Sequence, residues 1–375
     1  MKKCIVASDS FKGTLSSREI CKIARETVPR FFPDCELITT PIADGGEGTV
    51  DCFVEALNMD TVTVAVAGPF GELIEAKYAK KDRTAVIEMA SAVSLPLVGD
   101  RLDPLRASTL GVGQILRHAI ENGCNNILLG LGGSASNDGG CACASAMGVK
   151  FYGQDGSCFI PVGESLKQIK RIDISETKAL LHGVKITVMC DVENPLYGPK
   201  GAAYVFGPQK GASKELCLEL VEQLRAFNKR LEEDLGVFVA DVPGSGAAGG
   251  MGAGCMAFFD AELKPGIEAV LDMVEFDHQL LGTDLVITGE GKLDSQSMDG
   301  KVISGVGKRC KAKDVPLLSI VGNIEPKVPI YEAGVSAVFS INRQAMAFEQ
   351  SASYSHYNYR QTLEDILRLL SIRRS

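Results

Sequence analysis

The N-terminal segment from Cys4 to Leu57 indicates the architecture of the fold. Its sequence is CIVASDSFKGTLSSREICKIARETVPRFFPDCELITTPIADGGEGTVDCFVEAL. Its first four residues, Cys4 to Ala7, form an apolar run that predicts a short buried strand. Ser16 is followed three residues later by Glu19, which is the pattern of a capping box at the start of a helix. The apolar residues after it recur at helical spacing, so we expect a strand followed by an amphipathic helix.

The same segment continues with a second strand and a second helix. Pro29 and Pro33 predict the end of the first helix. Glu36 to Ile42 predicts the second strand, and a glycine-rich turn then leads into an apolar helix from about Gly46 to Leu57. Strands that alternate with helices in this way are typical of a parallel, doubly wound sheet that is covered on both faces.

The C-terminal part of the chain repeats this alternation. Its predicted elements are a strand at Leu285–Thr288, a helix at Lys301–Lys311, strands at Pro316–Val321 and Val335–Ile341, and a final helix whose apolar face carries Leu363, Ile366, Leu367 and Leu370. The two ends of the chain therefore predict one parallel-sheet domain.

The middle of the chain has a different pattern. Thr61 to Lys80 alternates in polarity around a Gly-Pro turn, which predicts a hairpin. Further predicted elements are a helix near Gly113–Glu121, a strand at Asn126–Leu131 and a charged helix from about Lys214 to Leu235. We interpret residues 61–264 as a mixed α/β domain inserted into a parallel-sheet domain made of residues 1–60 and 265–375. The active site is expected in the cleft between the two.

The composition narrows the class of function. Of 375 residues, 39 are Lys or Arg and 47 are Asp or Glu, so the formal net charge is −8, and no basic cluster occurs. Such a chain repels nucleic acid and anionic membrane surfaces. No apolar run reaches the ~18 residues of a membrane span, and the run after Lys3 is too short for a signal peptide. The 12 cysteines include no Cys-x-x-Cys pair, which predicts reduced thiols in a cytoplasmic protein.

The glycines cluster in loops that also hold carboxylates, amides, hydroxyls or lysines. The clusters are residues 44–49 (DGGEGT), 132–140 (GGSASNDGG), 243–250 (PGSGAAGG) and 289–296 (GEGKLDSQ). The first and the last follow a predicted strand and open a helix, which is where open α/β sheets bind anions. Carboxylates in such loops repel a bare phosphate but fit one that shares Mg²⁺ with them. The pattern therefore predicts an enzyme that binds a Mg²⁺-associated anion.

Each of these features also has a plainer interpretation. One glycine-rich turn is often merely tight packing, Lys12 and Lys210 can be surface or turn lysines, and Asp191 can initiate a turn. Gly244 to Gly249 matches the G-x-G-x-x-G dinucleotide pattern, so an NAD-dependent hydroxy-acid oxidoreductase is an alternative from another class of enzyme. The sequence contains neither a Walker A motif nor a G-x-S-x-G elbow.

Several longer motifs are spread over nearly the whole chain. They are Ser8–Gly13, Pro41–Thr49, Val86–Ala90, Leu131–Gly140, Cys190–Asp191 with Asn194–Pro195, Phe206–Gly211, Asp241–Gly244 with Gly246–Gly250, and Val286–Gly291 with Asp294–Gln296. Together they resemble the bacterial glycerate kinase family, the type without a Walker A motif. The departures are small: Ser136 stands where the family usually has Thr, Lys292 where it commonly has Arg, and residues 342–359 lack a Gly/Pro-rich loop.

The resemblance implies a flavodoxin-like domain interrupted by a second α/β domain. It also implies ATP-dependent, Mg²⁺-assisted phosphorylation of D-glycerate, at the 2-hydroxyl in the first instance and at the 3-hydroxyl as the alternative. A non-catalytic glycerate sensor would bind the acid without transferring phosphate. Neither nucleic acid nor a membrane is expected as a partner, and a homo-oligomer is compatible with the sequence.

The resemblance also suggests roles for individual residues. We assign Asp191 as the base, with Asp138 as the second choice, and Lys12 as a catalytic cation. The residues expected to contact substrate or phosphate are Asp44, Gly45, Gly46, Glu47, Gly132, Gly133, Ser134, Asn137, Asn194, Lys210, Glu290, Lys292, Asp294, Ser295 and Lys301. Asp44 and Glu47 are in addition the expected Mg²⁺ ligands.

Overall fold

The computed structural model describes residues 1–11, 13–42, 45–294, 301–344 and 348–372. Within these residues the strands are β1 (Lys3–Ser8), β2 (Glu36–Pro41), β3 (Asp60–Ala67), β4 (Leu73–Lys81), β5 (Thr84–Glu88), β6 (Asn126–Gly130), β7 (Lys150–Tyr152), β8 (Cys158–Phe159), β9 (Arg171–Asp173), β10 (Lys185–Met189), β11 (Glu262–Lys264), β12 (Leu285–Leu293), β13 (Leu317–Ile324) and β14 (Ala337–Ser340).

The α-helices alternate with these strands at both ends of the chain. They are α1 (Ser17–Phe31), α2 (Thr49–Leu57), α3 (Leu95–Val98), α4 (Leu110–Glu121), α5 (Cys141–Ala146), α6 (Ser175–Leu180), α7 (Ala202–Phe206), α8 (Lys214–Arg230), α9 (Ala247–Phe259), α10 (Gly266–Met273), α11 (Phe276–Gln279), α12 (Val302–Ala312), α13 (Phe348–Ala352) and α14 (Ser355–Ser371). None of these helices is both long enough and apolar enough to cross a membrane.

The chain divides into two compact units. The first contains Met1–Ala43, Glu55–Leu57 and Ile267–Ser375, and the second contains Asp44–Val54 and Asn58–Gly266. The second unit thus begins before the boundary near residue 60 that the sequence indicates. The reason is local, because the start of α2 is held by residues of the second unit. The Glu88 carboxylate accepts the N–H of Val50 (3.1 Å), and Lys77 pairs with Asp51 (2.7 Å).

The first unit is built on a five-stranded sheet in the order β14–β13–β12–β1–β2, and all of its strand pairs are parallel. Counted within this unit, the strand order is 2-1-3-4-5, which is one of the two common orders of doubly wound sheets. Its core combines apolar residues from the strands with those from α1 and α14. The parallel α/β class expected from the alternating pattern is therefore confirmed.

Two helices of this unit, α1 and α14, match the prediction in their main features and differ from it at one residue each. The capping box of α1 is present, with the N–H of Glu19 donating to Ser16 Oγ and the N–H of Ser16 to the Glu19 carboxylate. Pro29 does not end the helix, which continues to Phe31, because the proline lies in the last turn and removes only one hydrogen bond there. In α14 the predicted apolar face is buried except for Leu370, which is 45% exposed.

The strand β12 corrects a prediction about the fourth glycine cluster. Gly289 to Lys292 lie within the strand and not in a turn that opens a helix, since the ladder to β13 continues through Glu290. A Cβ on Gly289 would lie 2.0 Å from the carbonyl oxygen of Ile320. The glycine therefore allows two neighbouring strands to approach each other closely, which is a packing role.

The second unit contains a six-stranded sheet in the order β11–β10–β6–β5–β4–β3. Its β11, β10, β6 and β5 are parallel, whereas β3 and β4 form the predicted antiparallel hairpin. The segment between β6 and β10 forms a separate small antiparallel sheet in the order β8–β7–β9. The predicted helix Lys214–Leu235 is α8 followed by a π-helical turn. Helix α2 begins at Thr49 and not at Gly46, because Gly48 has a left-handed backbone conformation.

All 12 cysteines are free, and eight of them are buried. Burial raises the pKa of thiols such as Cys141 and Cys143, which keeps them protonated and unreactive.

Substitution of Gly289 by alanine tests whether this residue lies in a strand. We expect Gly289→Ala to lower the free energy of unfolding by about 1–3 kcal/mol, because the new methyl group overlaps the Ile320 carbonyl. Urea unfolding followed by circular dichroism measures it. Thr288→Val is the matched control, since the buried Thr288 hydroxyl has no partner among the described residues and its loss should cost little. Equal stability of Gly289→Ala and the wild type would contradict the strand assignment.

Candidate active site

A cavity of about 280 Å³ lies at the carboxyl ends of β6 and β10 in the second unit. These two strands are parallel neighbours in the sheet, and ligands of open α/β sheets bind at such strand ends. The residues that line it are Gly46, Leu131, Gly132, Gly133, Ser134, Met189, Cys190, Asp191, Val192, Phe206, Gln209, Lys210, Ala247 and Ala248. It therefore brings together residues from each of the first three glycine clusters and two of the candidate charged residues.

The first two glycine clusters meet backbone to backbone. The N–H of Gly132 donates to the carbonyl of Gly45 (3.1 Å), and a Cβ on Gly132 would lie 2.6 Å from the Cα of Gly46. A side chain at Gly132 would push the two loops apart, which is why glycine is required there. This contact places Gly133 and Ser134 at the cavity wall.

Lys210 is a buried amine in this wall. It ends a short 3₁₀ turn, Pro208–Lys210, and is only 1% exposed. Its Nζ donates to Ser134 Oγ (2.9 Å) and to the carbonyl oxygen of Ser136 (2.6 Å). Burial lowers the pKa of Lys210 to about 7, an effect that the negative charge of Asp138 partly offsets. The sequence did not indicate this burial, because glycine and proline around a lysine usually mark an exposed turn.

Asp138 is fully buried beneath the same loop. Its Oδ2 accepts the N–H (2.9 Å) and the hydroxyl (2.7 Å) of Thr109, and its Oδ1 accepts the N–H of Gly140 (3.1 Å). Burial raises the pKa of this carboxyl, and the hydrogen bonds act in the opposite direction. Asp138 is not among the described residues that line the cavity. This geometry favours a role in holding the loop rather than one as a base.

Asp191 lies on the open side of the cavity. It follows β10 closely, its side chain is exposed, and its Oδ1 accepts the N–H of Gly266 (2.7 Å). Cys190 beside it is half-buried, and burial raises the pKa of its thiol. Asp191 is thus a fixed carboxylate at a strand end, which is the position from which a base can reach a bound hydroxyl.

Three further polar residues lie near this loop. Asn137 and Ser136 are fully buried, and neither the Asn137 amide nor the Ser136 hydroxyl has a partner among the described residues. Since buried polar groups are normally paired, water or a ligand group is expected beside them. Asn194 donates to the Lys200 carbonyl (2.7 Å), so it shapes the loop after β10.

One buried acid escaped the sequence prediction. Glu88 ends β5, is 3% exposed, and accepts hydrogen bonds from the N–H of Val50 (3.1 Å) and the hydroxyl of Ser91 (3.2 Å). Burial raises the pKa of its carboxyl. The sequence did contain a signal for this buried acid, because Glu88 directly follows the apolar residues of a strand within the motif Val86–Ala90.

Most of the remaining candidates belong to the first unit. Glu290 is buried in β12, Lys292 pairs with Glu325 (2.6 Å) and Asp294 (3.5 Å), and Lys301 caps α12. Glu47 is exposed in the turn before α2. The candidates that lie outside the described residues are Lys12, Asp44 and Ser295.

No group of three or more metal-ligating side chains comes together within the described part of the chain. Mg²⁺ takes most of its ligands from water and substrate phosphates, so a single protein carboxylate is enough to hold it. Glu47 therefore fits as a ligand of a metal that arrives with a nucleotide.

Comparison with known proteins identifies the family. The model of the glycerate kinase family matches residues 4–371. The chain is 41% identical to a Bacillus cereus protein named glycerate kinase, with 97% of each chain covered. It is also 41% identical to an Escherichia coli protein named glycerate 2-kinase, with 90% of each covered.

The chain belongs to the glycerate kinase family. A crystal structure of a candidate glycerate kinase 2 from Salmonella typhimurium LT2 agrees in fold, with a TM-score of 0.88, 39% identity and 98% of each chain covered. The α/β architecture of two parallel-containing sheets is thus shared with a family member.

The dinucleotide alternative is not supported by the local structure of this glycerate kinase family member. The Gly244–Gly249 segment follows a π-helical turn and a loop, whereas a dinucleotide fingerprint must follow a strand. Its glycines serve close packing: a Cβ on Gly246 would lie 2.1 Å from the Pro195 carbonyl oxygen. The third glycine cluster therefore forms a wall of the cavity and is not a pyrophosphate loop.

The pH dependence of stability tests the burial of Lys210. Because its pKa is lowered in the folded state, the unfolded chain binds the extra proton above about pH 7, and stability from this group increases as the pH rises from there toward about 10. Relative to Lys210→Met, the wild type should gain as much as about 1.4 kcal/mol per pH unit in this window. Urea unfolding of both proteins at pH 6 and pH 9 measures it. The exposed Lys214→Met should show no such trend, and a pH-independent difference at Lys210 would contradict its burial as an amine.

Proposed function

We propose that the protein transfers the γ-phosphoryl group of ATP to the 2-hydroxyl of D-glycerate. In this reaction the bond between the hydroxyl oxygen and γ-phosphorus forms, and the bond from γ-phosphorus to the β–γ bridging oxygen breaks. ADP leaves, and the hydroxyl proton passes to a base. The observation that best supports this proposal is the composition of the cavity. In a chain of the glycerate kinase family, the cavity is lined by one buried amine, Lys210, and one carboxylate, Asp191.

Asp191 is the proposed base. The hydroxyl of the acceptor must lose its proton as it attacks, and a carboxylate within hydrogen-bond reach can accept that proton. The hydrogen bond from Gly266 holds the side chain in one position, so its remaining lone pairs are directed by the fold. Asp138 is not proposed for this step, since both of its oxygens accept hydrogen bonds inside the loop.

The glycine pair Gly132 and Gly133 is the proposed place for the transferred phosphoryl group. Glycine backbone at a strand end can approach an anion closely, and N–H groups there neutralise developing charge. Mg²⁺, when it is bound, would neutralise the phosphates, with Glu47 and Asp44 as the proposed protein ligands. Lys12 stays the predicted catalytic cation, and the predicted contacts to substrate or phosphate also include Glu290, Lys292, Asp294, Ser295 and Lys301.

The 2-hydroxyl is preferred over the 3-hydroxyl because the Escherichia coli relative bears the name glycerate 2-kinase. The 12 free cysteines suit a reducing compartment, so we place the enzyme in the cytoplasm.

Substitution of Asp191 by asparagine tests the base. Asp191→Asn keeps the shape of the side chain but cannot accept the proton, so kcat should fall by about 10²–10⁴-fold with an unchanged melting temperature. A coupled assay of ADP release with D-glycerate measures kcat. Glu193→Gln, an exposed neighbour two residues away, should retain wild-type kcat. A near-normal kcat in Asp191→Asn would remove this residue as the base.

The product identifies the acceptor hydroxyl. Phosphorus and proton NMR of the reaction with D-glycerate and Mg-ATP should show phosphate on the carbon that bears the carboxyl group. A signal coupled to the terminal methylene protons would establish the 3-hydroxyl instead, and ADP release without phosphorylated glycerate would reject the proposed reaction.

A further inference from the structure

We propose that Lys210 binds the carboxylate of the acceptor and takes up a proton as that carboxylate enters the cavity. The inference rests on the proposed function, and it goes further by naming the residue that selects an acidic acceptor over a neutral polyol. It also predicts that substrate binding and protonation of the enzyme are coupled.

The contacts of Lys210 leave its charge unbalanced. Both acceptors of its Nζ, Ser134 Oγ and the Ser136 carbonyl, are neutral. Among the described residues no carboxylate lies within ion-pair distance of Lys210, and the nearby Asp138 directs its oxygens to Thr109 and Gly140. The charged form of this amine is a buried cation without a paired anion, which is costly, and an entering carboxylate would supply the missing partner.

Ser134 supplies a second donor at the same place. Its hydroxyl accepts from Lys210 and also lines the cavity, and a hydroxyl that accepts a hydrogen bond can still donate its own proton. The ammonium of Lys210 has three N–H groups, two of which go to Ser134 and Ser136. A third N–H and the Ser134 hydroxyl therefore offer two donors to the two oxygens of a carboxylate.

The cavity matches a small hydroxy acid in charge and size. Lys210 and Asp191 are the charged side chains among its described lining residues, so it offers one cation for a carboxylate and one carboxylate for a hydroxyl. A triphosphate would bring several negative charges to a single amine and face Asp191 as well. A three-carbon acid occupies roughly 100–150 Å³, about the volume of four or five water molecules. The cavity of about 280 Å³ accommodates it beside a phosphoryl group.

The titratable surroundings determine the proton uptake. Among the described residues, Asp138 acts electrostatically on Lys210, and the cavity lining adds two titratable groups, Asp191 and the Cys190 thiol. The pKa of about 7, which results from burial and the opposing charge of Asp138, leaves part of the amine neutral near pH 7, and a carboxylate at hydrogen-bond distance raises the pKa of an amine. Binding therefore draws a proton from solution.

Calorimetry measures this proton directly. D-Glycerate is titrated at pH 7.5 into the protein saturated with Mg²⁺ and a non-hydrolysable ATP analogue, in HEPES and in Tris, which differ in ionisation enthalpy. We expect uptake of between about half and one proton per bound D-glycerate in the wild type. Lys210→Arg, whose guanidinium is always charged, should bind without uptake. Absence of uptake in the wild type would overturn the proposal, and this result needs no variant to fold.

Steady-state kinetics separates the two substrates. Lys210→Met should raise KM for D-glycerate by roughly 10- to 100-fold while KM for ATP changes less than about threefold. The exposed Lys214→Met is the matched control and should leave both values unchanged. Circular dichroism verifies that each variant is folded. An equal rise in both KM values, or a rise confined to ATP, would show that Lys210 binds the triphosphate and would overturn the proposal.

The failure of this inference is distinguishable from that of the proposed function. Proton-coupled binding of D-glycerate without product formation would support the role of Lys210 and reject the kinase reaction. Product formation without proton uptake would support the reaction and reject the role of Lys210.

Discussion

The cavity depends on one backbone contact, in which the turn at Gly45 and Gly46 lies directly against the end of β6. The N–H of Gly132 donates to the Gly45 carbonyl, and a Cβ on Gly130 would lie only 2.3 Å from that same carbonyl oxygen. Two backbone segments can approach this closely only where both lack side chains at the point of contact. Because the contact leaves no room between them, Gly133 and Ser134 are directed into the cavity.

A second constraint acts on the loop that follows. Asp138 anchors this loop from inside through Thr109, and Lys210 holds it from the cavity side through Ser134 and Ser136. The two groups are not paired with each other, although the negative charge of Asp138 raises the pKa of Lys210 and so favours its charged form. A hydrophobic pair would stabilise such a loop more simply, so the buried amine is better explained by a ligand than by folding.

Local pattern was sufficient for most of the fold but not for the site. Helix α1 with its capping box, the β3–β4 hairpin and strand β6 were all predicted, since periodicity and turn residues act over short distances. Gly289 was assigned to a turn because its requirement, the nearby Ile320 carbonyl, lies on another strand. The burial of Lys210 was invisible for the same reason, as Ser134 and Ser136 are more than seventy residues away in the chain.

The two charged residues of the cavity differ in exposure, and this difference suggests how an acceptor would be oriented in it. Lys210 is almost completely buried, whereas Asp191 is exposed at the opening. An acceptor with an acid group at one end and a hydroxyl beside it would therefore enter with the acid first and leave the hydroxyl near Asp191. In that orientation the hydroxyl would lie in the same cavity as the glycine turn at 132–133, which lines it together with Asp191. With the acid end held by Lys210 as proposed, the fold would position the reacting oxygen, and such positioning is a large part of catalysis in phosphoryl transfer.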